Sequence, residues 1–338
     1  MKTKIIAEIG VNHNGSIKIA KKLIKKTADA GSHFVKFQLF NPDKLVTPSA
    51  KLAGYQSRNL DKAKITQRQM LQRYSLNEKK IIELRKYAKK CNISFLLSVF
   101  DNDSLKIIKK LKFNILKIPS GEITNYLLLK EISKMKVKII LSTGMSNINE
   151  ISQAIKILSS DKIKKKEISL LQCNTDYPTK YSDINLNVIK TLKKKYKLKV
   201  GFSDHTDNHI IPSLAVCKGA EIIEKHVTLS KKMSGPDHKA SIEIEDFKNM
   251  INLIEITEKT FGRKFKKPTK SEIKNIKVVR KSIVAKKDIL KGNYFNFENL
   301  TAKRPGIGLS PMLIKKLVGK KSKNNYQKNQ LLKKNEIN

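Results

Sequence analysis

Long apolar runs, paired cysteines and arginines are all scarce in this chain of 338 residues. No apolar run approaches the roughly 18 residues of a membrane-spanning helix, and no leader with an apolar core is recognisable at the start. The three cysteines (Cys91, Cys173, Cys217) are odd in number and lack metal-type spacing, which predicts reduced thiols. These absences predict a soluble, cytoplasmic protein without membrane contact.

Arginine is rare although the formal net charge is +42, since only 7 of the 71 basic residues are Arg. Arginine is the preferred bidentate partner of phosphate and guanine, so its scarcity argues against a nucleic-acid-binding protein. Lysines are spread along the whole chain, and most of the charge is therefore interpreted as solvated surface. A non-catalytic protein that holds polysaccharide on this basic surface is kept as an alternative.

Several motifs of common enzyme classes are also missing. The sequence contains no Ser/His/Asp constellation, no P-loop and no CxxC motif, which disfavours nucleophilic hydrolases, NTPases and thiol redox enzymes. No glycine-rich dinucleotide fingerprint follows the first predicted strand, which disfavours a doubly wound open sheet.

What is present is a regular alternation of β-type apolar runs and amphipathic helical stretches. Eight strand-then-helix cycles within about 260 residues predict a (β/α)8 TIM barrel. The predicted strands are Ile5–Ile9, Phe34–Phe37, Ser94–Leu97, Ile115–Ile118, Lys138–Leu141, Ile168–Leu171, Lys199–Phe202 and Glu221–Glu224.

The chain divides into a catalytic barrel domain at 1–262, a Lys-rich linker at 263–277 and a small β-rich domain at 278–338. The connection Asn41–Leu76 is polar and long for a barrel, which predicts a loop folded over a functional face. The Lys/Asn-rich tail from Lys320 is expected to fray at its end.

Two histidines follow predicted strands in the stretch Gly201–Lys239. His205 and His226 lie 21 residues apart, which leaves room for one helix that returns the chain to the same sheet edge. A parallel crossover then places both imidazoles side by side, where they are suitable ligands for a divalent transition metal. The alternative is two polar loop residues that cap their strands.

Polar side chains recur at the carboxyl ends of the predicted strands, where barrel enzymes keep their active sites. Lys36 and Gln38 share one strand face, and Lys117 also follows an apolar strand. Two lysines beside serine hydroxyls suggest a cradle for a small phosphorylated carboxylate, whereas lysines that reach solvent at the rim are the alternative. The full set is Glu8, Lys36, Gln38, Ser98, Lys117, Ser120, Glu122, Ser142, Asn174, Tyr177, Ser203, His205 and His226.

Eight motifs in the chain resemble the sialic acid synthase family, whose members condense phosphoenolpyruvate with an N-acyl mannosamine-type sugar. They are AEIGVNHNGS (7–16), VKFQ (35–38), LKIPSGEITN (116–125), LSTGM (141–145), NTDYPT (174–179), GFSDHT (201–206), EKHVT (224–228) and GPDHKAS (235–241). The C-terminal unit, with KRPGIG (303–308), resembles the antifreeze-like SAF domain that ends these synthases.

The resemblance implies a role for each matching position. His205 and His226 would bind a divalent metal, usually Mn²⁺, with Mg²⁺ or Co²⁺ as alternatives, and the enzyme would be a domain-swapped homodimer. Arg304 would contact the sugar's N-acyl group in the partner subunit's active site. Phosphoenolpyruvate would be held by Lys36, Ser98, Lys117, Ser120, Ser142, Thr175 and Ser203. Facing the sugar and the reacting centre would be Glu8, Gln38, Glu122, Tyr177 and Asp237, with Asn174 as a further substrate contact.

Two details refine the resemblance. LLSVFD (96–101) replaces the family's usual Ser-Thr-Pro-Phe, so Ser98 keeps a hydroxyl but Val99 lacks the proline. NTDYPT is most similar to the legionaminic acid synthases, which use a 2,4-diacetamido-trideoxy mannose. N-acetylneuraminate synthase and pseudaminic acid synthase are the alternatives.

Overall fold

The computed structural model describes residues 3–60 and 65–337. The chain divides into two compact units, with the boundary between Phe261 and Gly262. None of the helices within these residues is both long and apolar enough to cross a membrane. All three cysteines are free.

The first unit is built on eight parallel strands that close into a barrel. Each strand pairs with the next along the chain, and the eighth pairs with the first. Closure of eight parallel strands confirms the predicted (β/α)8 class. The strands are β1 (Lys4–Gly10), β2 (Phe34–Leu39), β3 (Ser94–Val99), β4 (Ile115–Ile118), β5 (Lys138–Ser142), β6 (Ile168–Cys173), β7 (Lys199–Asp204) and β8 (Ile222–Thr228), and a short β9 (Ile242–Glu243) pairs with β8.

Most strands run further at their carboxyl ends than their apolar runs predict. β8 was expected to end at Glu224 and continues to Thr228, while β5 includes Ser142 and β7 includes Asp204. Several of these added residues are polar but buried, such as Ser142, Asp204 and His226. An apolar run therefore marks only the lower part of each strand.

Helices follow the strands of the barrel, as the strand-then-helix alternation predicts. Asparagine and aspartate caps begin several of them: Asn77, Asp101 and Asn147 each accept a backbone N–H of the first helical turn. The helices of this unit are α1 (Ile17–Asp29), α2 (Pro42–Leu45), α3 (Gly54–Asn59), α4 (Gln67–Tyr74), α5 (Glu78–Lys90), α6 (Asn102–Lys110), α7 (Tyr126–Ser133), α8 (Ile148–Leu158), α9 (Asn187–Tyr196), α10 (Ile211–Cys217) and α11 (Ile244–Thr260).

The connection 41–76 is not the polar loop that its composition predicts. It contains α2, α3 and α4, and it packs an apolar cluster of its own around Met70, Leu71 and Tyr74. Residues 61–64 of this connection lie outside the described part of the chain. The helices were missed because they are short and their few apolar residues lie among glutamines, arginines and other polar residues.

The barrel interior is divided between an apolar lower layer and a polar mouth. Ile6, Leu96, Ile140, Leu171 and Ile222 fill the interior as one cluster, separate from the main core between strands and helices. These buried side chains fill the barrel interior below the polar side chains that line the cavity at its mouth.

The second unit contains α12 (Lys270–Val279) and a hairpin of β10 (Ser282–Ala285) and β11 (Leu300–Lys303). The predicted linker 263–277 is thus helical over its second half. The tail does not fray as expected within the described residues, since the Glu336 carboxylate is buried and accepts hydrogen bonds from Tyr326 and Asn324. These bonds explain why a Lys/Asn-rich tail packs.

Candidate active site at the barrel mouth

A cavity of about 330 Å³ lies at the carboxyl ends of the barrel strands, and all of its lining residues belong to the first unit. It brings together most of the predicted site residues. These are Glu8, Lys36, Gln38, Ser98, Lys117, Ser120, Ser142, Thr175, Tyr177, Ser203, His205, His226 and Asp237.

Lys36 lies at the centre of a buried network of charged groups. Its Nζ is 2.9 Å from Glu8 Oε2 and 3.5 Å from Glu224 Oε2, and it donates a 2.8 Å hydrogen bond to Ser98 Oγ. The side chain is almost fully buried, so it does not reach solvent at the rim. The alternative of a snorkelling surface lysine is wrong for Lys36.

Glu224 completes this network, although no role was predicted for it from the sequence. Its Oε1 accepts hydrogen bonds from Lys117 Nζ (3.0 Å) and Ser203 Oγ (2.9 Å). Glu224 precedes His226 by two residues on β8, and this spacing on one strand could have pointed to it, because alternate residues share a face. Lys117 is as deeply buried as Lys36.

Burial and charge pairing act against each other on these groups. Burial alone would raise the pKa of Glu224, but Lys117 and Lys36 together hold it well below its usual range. Burial would lower the pKa of Lys36, but Glu224 and Glu8 outweigh it and leave that pKa raised. Lys117 has one carboxylate partner, and burial leaves its pKa lowered. Burial also raises the pKa of Glu8, since Lys36 offsets it only in part.

The two histidines lie side by side, as their spacing predicts, with ring centroids 5.4 Å apart. The Nδ1–H of His205 donates to the carbonyl oxygen of Asn174, which leaves Nε2 as the acceptor of this ring. The Tyr177 hydroxyl lies 3.3 Å from that Nε2. Burial lowers the pKa of His205 to about 4 and that of His226 well below its usual value, so both rings are neutral near pH 7.

These histidines fit a divalent metal that has two protein ligands. Both imidazoles are neutral, as ligation requires, and the carbonyl bond on His205 fixes its tautomer with Nε2 available. His226 Nδ1 is buried and has no hydrogen-bond partner in the part of the chain that the structure describes. Within residues 3–60 and 65–337, no group of three or more His, Cys, Asp or Glu side chains is arranged for a metal. The remaining coordination positions would therefore go to oxygen atoms of substrate or water.

An ion pair on the outer face of the barrel holds both histidines in place. Lys225 lies between Glu224 and His226 on β8 and points outward, where its Nζ is 2.6 Å from Asp204 Oδ2 and also donates to the Thr206 carbonyl. At Gly201 on β7, a Cβ would lie 2.3 Å from the Ile222 carbonyl oxygen, so only glycine allows this approach to β8. These contacts lock the relative register of the two strands.

Asp237 reaches the cavity from the loop after β8. Its carboxyl Oδ2 is 4.0 Å from His226 Nδ1, and burial raises its pKa to about 7. The backbone of this loop is tied down on both sides: Ser241 Oγ donates to the Asp237 carbonyl, and His238 Nε2 contacts Asn14 Oδ1 at 3.1 Å. His238 is fully buried.

The connection 41–76 also lines the cavity, as its length predicts. Tyr55 packs on Tyr177 with ring centroids 4.7 Å apart, and Tyr177 in turn stacks on His205 at 4.2 Å. Gln56 also lines the cavity. These side chains were missed because nothing in the polar sequence around them distinguishes a cavity lining from a surface loop.

Three predicted site residues do not line this cavity. Glu122 is buried beside it, and its carboxylate accepts a 2.7 Å hydrogen bond from Asn125. The Asn174 side chain donates to the Asp183 carbonyl, so Asn174 contributes its own backbone oxygen, to His205. Arg304 is an exposed residue of the second unit. The substrate contacts expected of these three remain predictions.

Comparison with known proteins identifies the family to which the two units of this chain are similar. The model of the NeuB family matches residues 23–266, and the model of the SAF domain matches residues 280–338. An N,N'-diacetyllegionaminic acid synthase of Campylobacter jejuni is 48% identical over 98% of this chain and 99% of its own length. A pseudaminic acid synthase of the same species is 32% identical over 99% of this chain and 97% of its own.

A solved structure of a sialic acid synthetase is also similar to this chain. The N-acetylneuraminic acid (sialic acid) synthetase of Leptospira borgpetersenii, determined in complex with citrate, superposes with a TM-score of 0.70 and 33% sequence identity. The match covers 82% of this chain and 90% of that structure. With a family model matched over most of its length and relatives of this identity, the chain belongs to the NeuB family.

Proposed function

We propose that the protein condenses phosphoenolpyruvate with an N-acyl mannosamine-type sugar to give a nine-carbon 2-keto acid and phosphate. The favoured product is N,N'-diacetyllegionaminic acid, because the synthase of that name in Campylobacter jejuni is 48% identical over nearly the whole chain. The observation that carries the proposal is the pair of buried lysines, Lys36 and Lys117, beside two neutral histidines in one cavity.

The lysines suit the anionic substrate. Phosphoenolpyruvate carries a phosphate and a carboxylate, and Lys36 and Lys117 supply charge-assisted hydrogen bonds from positions that are already held by carboxylates. The hydroxyls of Ser98, Ser120 and Ser142 line the same cavity and add neutral donors. Because these groups are held before substrate arrives, little reorganisation opposes binding.

His205 and His226 would hold a divalent metal, proposed to be Mn²⁺ with Mg²⁺ or Co²⁺ as alternatives. When bound, such a metal would supply Lewis-acid polarisation of the sugar's aldehyde oxygen. The chain's own contribution at this point is to keep both rings neutral and correctly oriented. The Asn174 carbonyl and the Lys225–Asp204 pair provide that orientation.

In the proposed reaction, C3 of phosphoenolpyruvate forms a bond to the aldehyde carbon, and water adds to C2. The bond between C2 and the phosphate oxygen then breaks, which releases phosphate and leaves the 2-keto acid. Asp237, with a pKa of about 7, is suited to hold or release a proton beside His226. The helices of the connection 41–76 cover the cavity and limit the entry of other water.

The test uses the purified full-length protein with phosphoenolpyruvate, Mn²⁺ and a panel of N-acyl hexosamines. Phosphate release is measured together with the product mass. A nine-carbon keto acid that forms only when both substrates and metal are present supports the proposal. Turnover with a phosphorylated tetrose or pentose instead, or no turnover with any N-acyl sugar, contradicts it.

A further inference from the structure

One wall of the cavity is apolar. It consists of Val11, Phe40, Leu45, Val46, Met70 and Leu71, and none of these six side chains carries a nitrogen or oxygen atom. All six belong to the satellite cluster that packs under the connection 41–76. These six side chains form the apolar wall.

The polar side chains of the same segment that lie next to the apolar wall form hydrogen bonds with one another. Gln56 and Gln67 also line the cavity, but Gln56 Oε1 accepts a 2.9 Å hydrogen bond from the Ala53 backbone and lies 3.5 Å from Gln67 Nε2. The Gln56 amide nitrogen in turn lies 3.4 Å from the Tyr55 hydroxyl. The polar groups of this segment are therefore largely engaged with one another.

The rest of the cavity determines which part of a substrate meets this wall. Lys36, Lys117 and the two histidines lie at the ends of barrel strands, and together with the serine hydroxyls beside them they suit phosphate, carboxylate and aldehyde oxygen. A sugar whose aldehyde carbon reacts there directs its other end, carbons 4 to 6, away from the strand ends. Leu45, Val46, Met70 and Leu71 of the apolar wall belong to the connection 41–76 and not to the strands, and they offer a surface to that end.

We propose that the apolar wall determines specificity for the far end of the sugar and selects methyl groups there over hydroxyls. A 2,4-diacetamido-2,4,6-trideoxymannose presents the methyl of carbon 6 and the acetyl methyl on the nitrogen of carbon 4. N-acetylmannosamine presents hydroxyls at both positions, and a hydroxyl against this wall exchanges water for no hydrogen-bond partner. The inference rests on the proposed function and narrows its substrate class.

Each methyl group of the diacetamido sugar is expected to raise kcat/KM modestly relative to N-acetylmannosamine, and two methyl groups are expected to raise it more. Differences of one methyl or one hydroxyl in an apolar pocket change kcat/KM by about 10- to 200-fold. Wild-type protein should therefore favour the diacetamido sugar over N-acetylmannosamine by at least about tenfold in kcat/KM.

The test measures kcat/KM for both sugars, by phosphate release, in wild type and in a matched pair of variants. Met70→Gln places an amide of similar volume in the wall. Met135→Gln makes the same change in a residue that is also buried but is not among the residues that line the cavity. Met70→Gln should reduce the preference at least about tenfold, mainly through the KM of the diacetamido sugar. Met135→Gln should leave the preference unchanged, and neither variant should change the KM of phosphoenolpyruvate.

Because Met70 is buried, Val46→Thr serves as a second variant: it is nearly isosteric, and Val46 is only partly buried. Thermal unfolding establishes that each variant is folded. An unchanged preference in folded Met70→Gln and Val46→Thr overturns the inference, as does a wild-type enzyme that uses both sugars equally well. Absence of phosphate release from wild type with either sugar contradicts the proposed function itself, which is a distinct result.

Discussion

Replacing Glu224 by glutamine tests whether this residue is the counter-charge for the two buried lysines. The change keeps the shape of the side chain and its contact with Ser203, but it removes the negative charge that lies 3.0 Å from Lys117 Nζ and 3.5 Å from Lys36 Nζ. Lys36 retains Glu8 as a partner. Lys117 loses its only ion-pair partner among the described residues.

The expected loss of stability in Glu224→Gln follows from the burial of the Lys117–Glu224 pair. Both side chains of the Lys117–Glu224 pair are about 4% exposed or less, so water cannot replace the missing charge. Removal of one partner from a buried pair costs about 3–5 kcal/mol, because the other charge remains uncompensated. The free energy of unfolding of Glu224→Gln should fall by this amount at pH 7. Phosphoenolpyruvate should raise the midpoint of thermal unfolding more in the variant than in wild type, since its negative charge replaces the lost carboxylate.

The assay is urea unfolding followed by circular dichroism, with Glu221→Gln as the matched control. Glu221 lies three residues earlier and pairs with Lys193 at 2.7 Å near the surface, so its loss should cost at most about 1 kcal/mol. Adding Lys117→Met to Glu224→Gln should recover much of the stability, because no unpaired charge then remains. A Glu224→Gln protein within about 1 kcal/mol of wild type would refute the reasoning.

Four further predictions follow from the same structure. His226→Ala should abolish metal-dependent phosphate release and weaken Mn²⁺ binding measured by calorimetry without substrate; full activity in chelator-treated wild type would disprove the metal assignment. Lys117→Met should raise the KM of phosphoenolpyruvate by about tenfold to a hundredfold, as expected for a lost charge-assisted hydrogen bond, and an unchanged KM would exclude a binding role. Burial lowers the pKa of His238 to about 4 from 6.5, so this imidazole must gain a proton on unfolding between these values and stability falls as the pH drops through them. At pH 5 the loss relative to pH 8 is about 2 kcal/mol, and a His238→Gln variant should lack that part of the pH dependence in urea titrations. Finally, if Arg304 acts in a partner subunit, mixing Arg304→Ala with His205→Ala chains should restore about half of wild-type activity per heterodimer, whereas an inactive mixture with confirmed subunit exchange would exclude that arrangement.

The barrel could be predicted from the sequence because its signal is local. Each apolar run and each amphipathic stretch falls within about 15 residues, and eight repeats of the pair leave few alternative folds. The same local signal failed for α2, α3 and α4, which are short and contain few apolar residues. It also failed for the second half of the expected linker, where α12 forms with its side chains largely exposed.

Within the site, residue types and strand ends were sufficient to select candidates. Lys36, Lys117, His205 and His226 were chosen because polar side chains at the carboxyl ends of parallel strands meet at one edge, and the structure places all four in one cavity. Glu122 satisfied the same rule, yet its carboxylate bonds to Asn125 instead of lining the cavity. Position along a strand does not determine the rotation of a side chain in the turn that follows it.

The eight-fold alternation, the two histidines at strand ends and the family motifs could be recognised from the sequence alone, since each depends on neighbours along the chain. The partners of the charged groups, by contrast, are set by the folded barrel. Lys117 and Glu224 are 107 residues apart, and they meet because closure of the barrel through β1 and β8 brings distant strand ends around one interior. The pKa values of these groups and the apolar wall depend on the same closure, because burial and the distance between charges are properties of the folded chain.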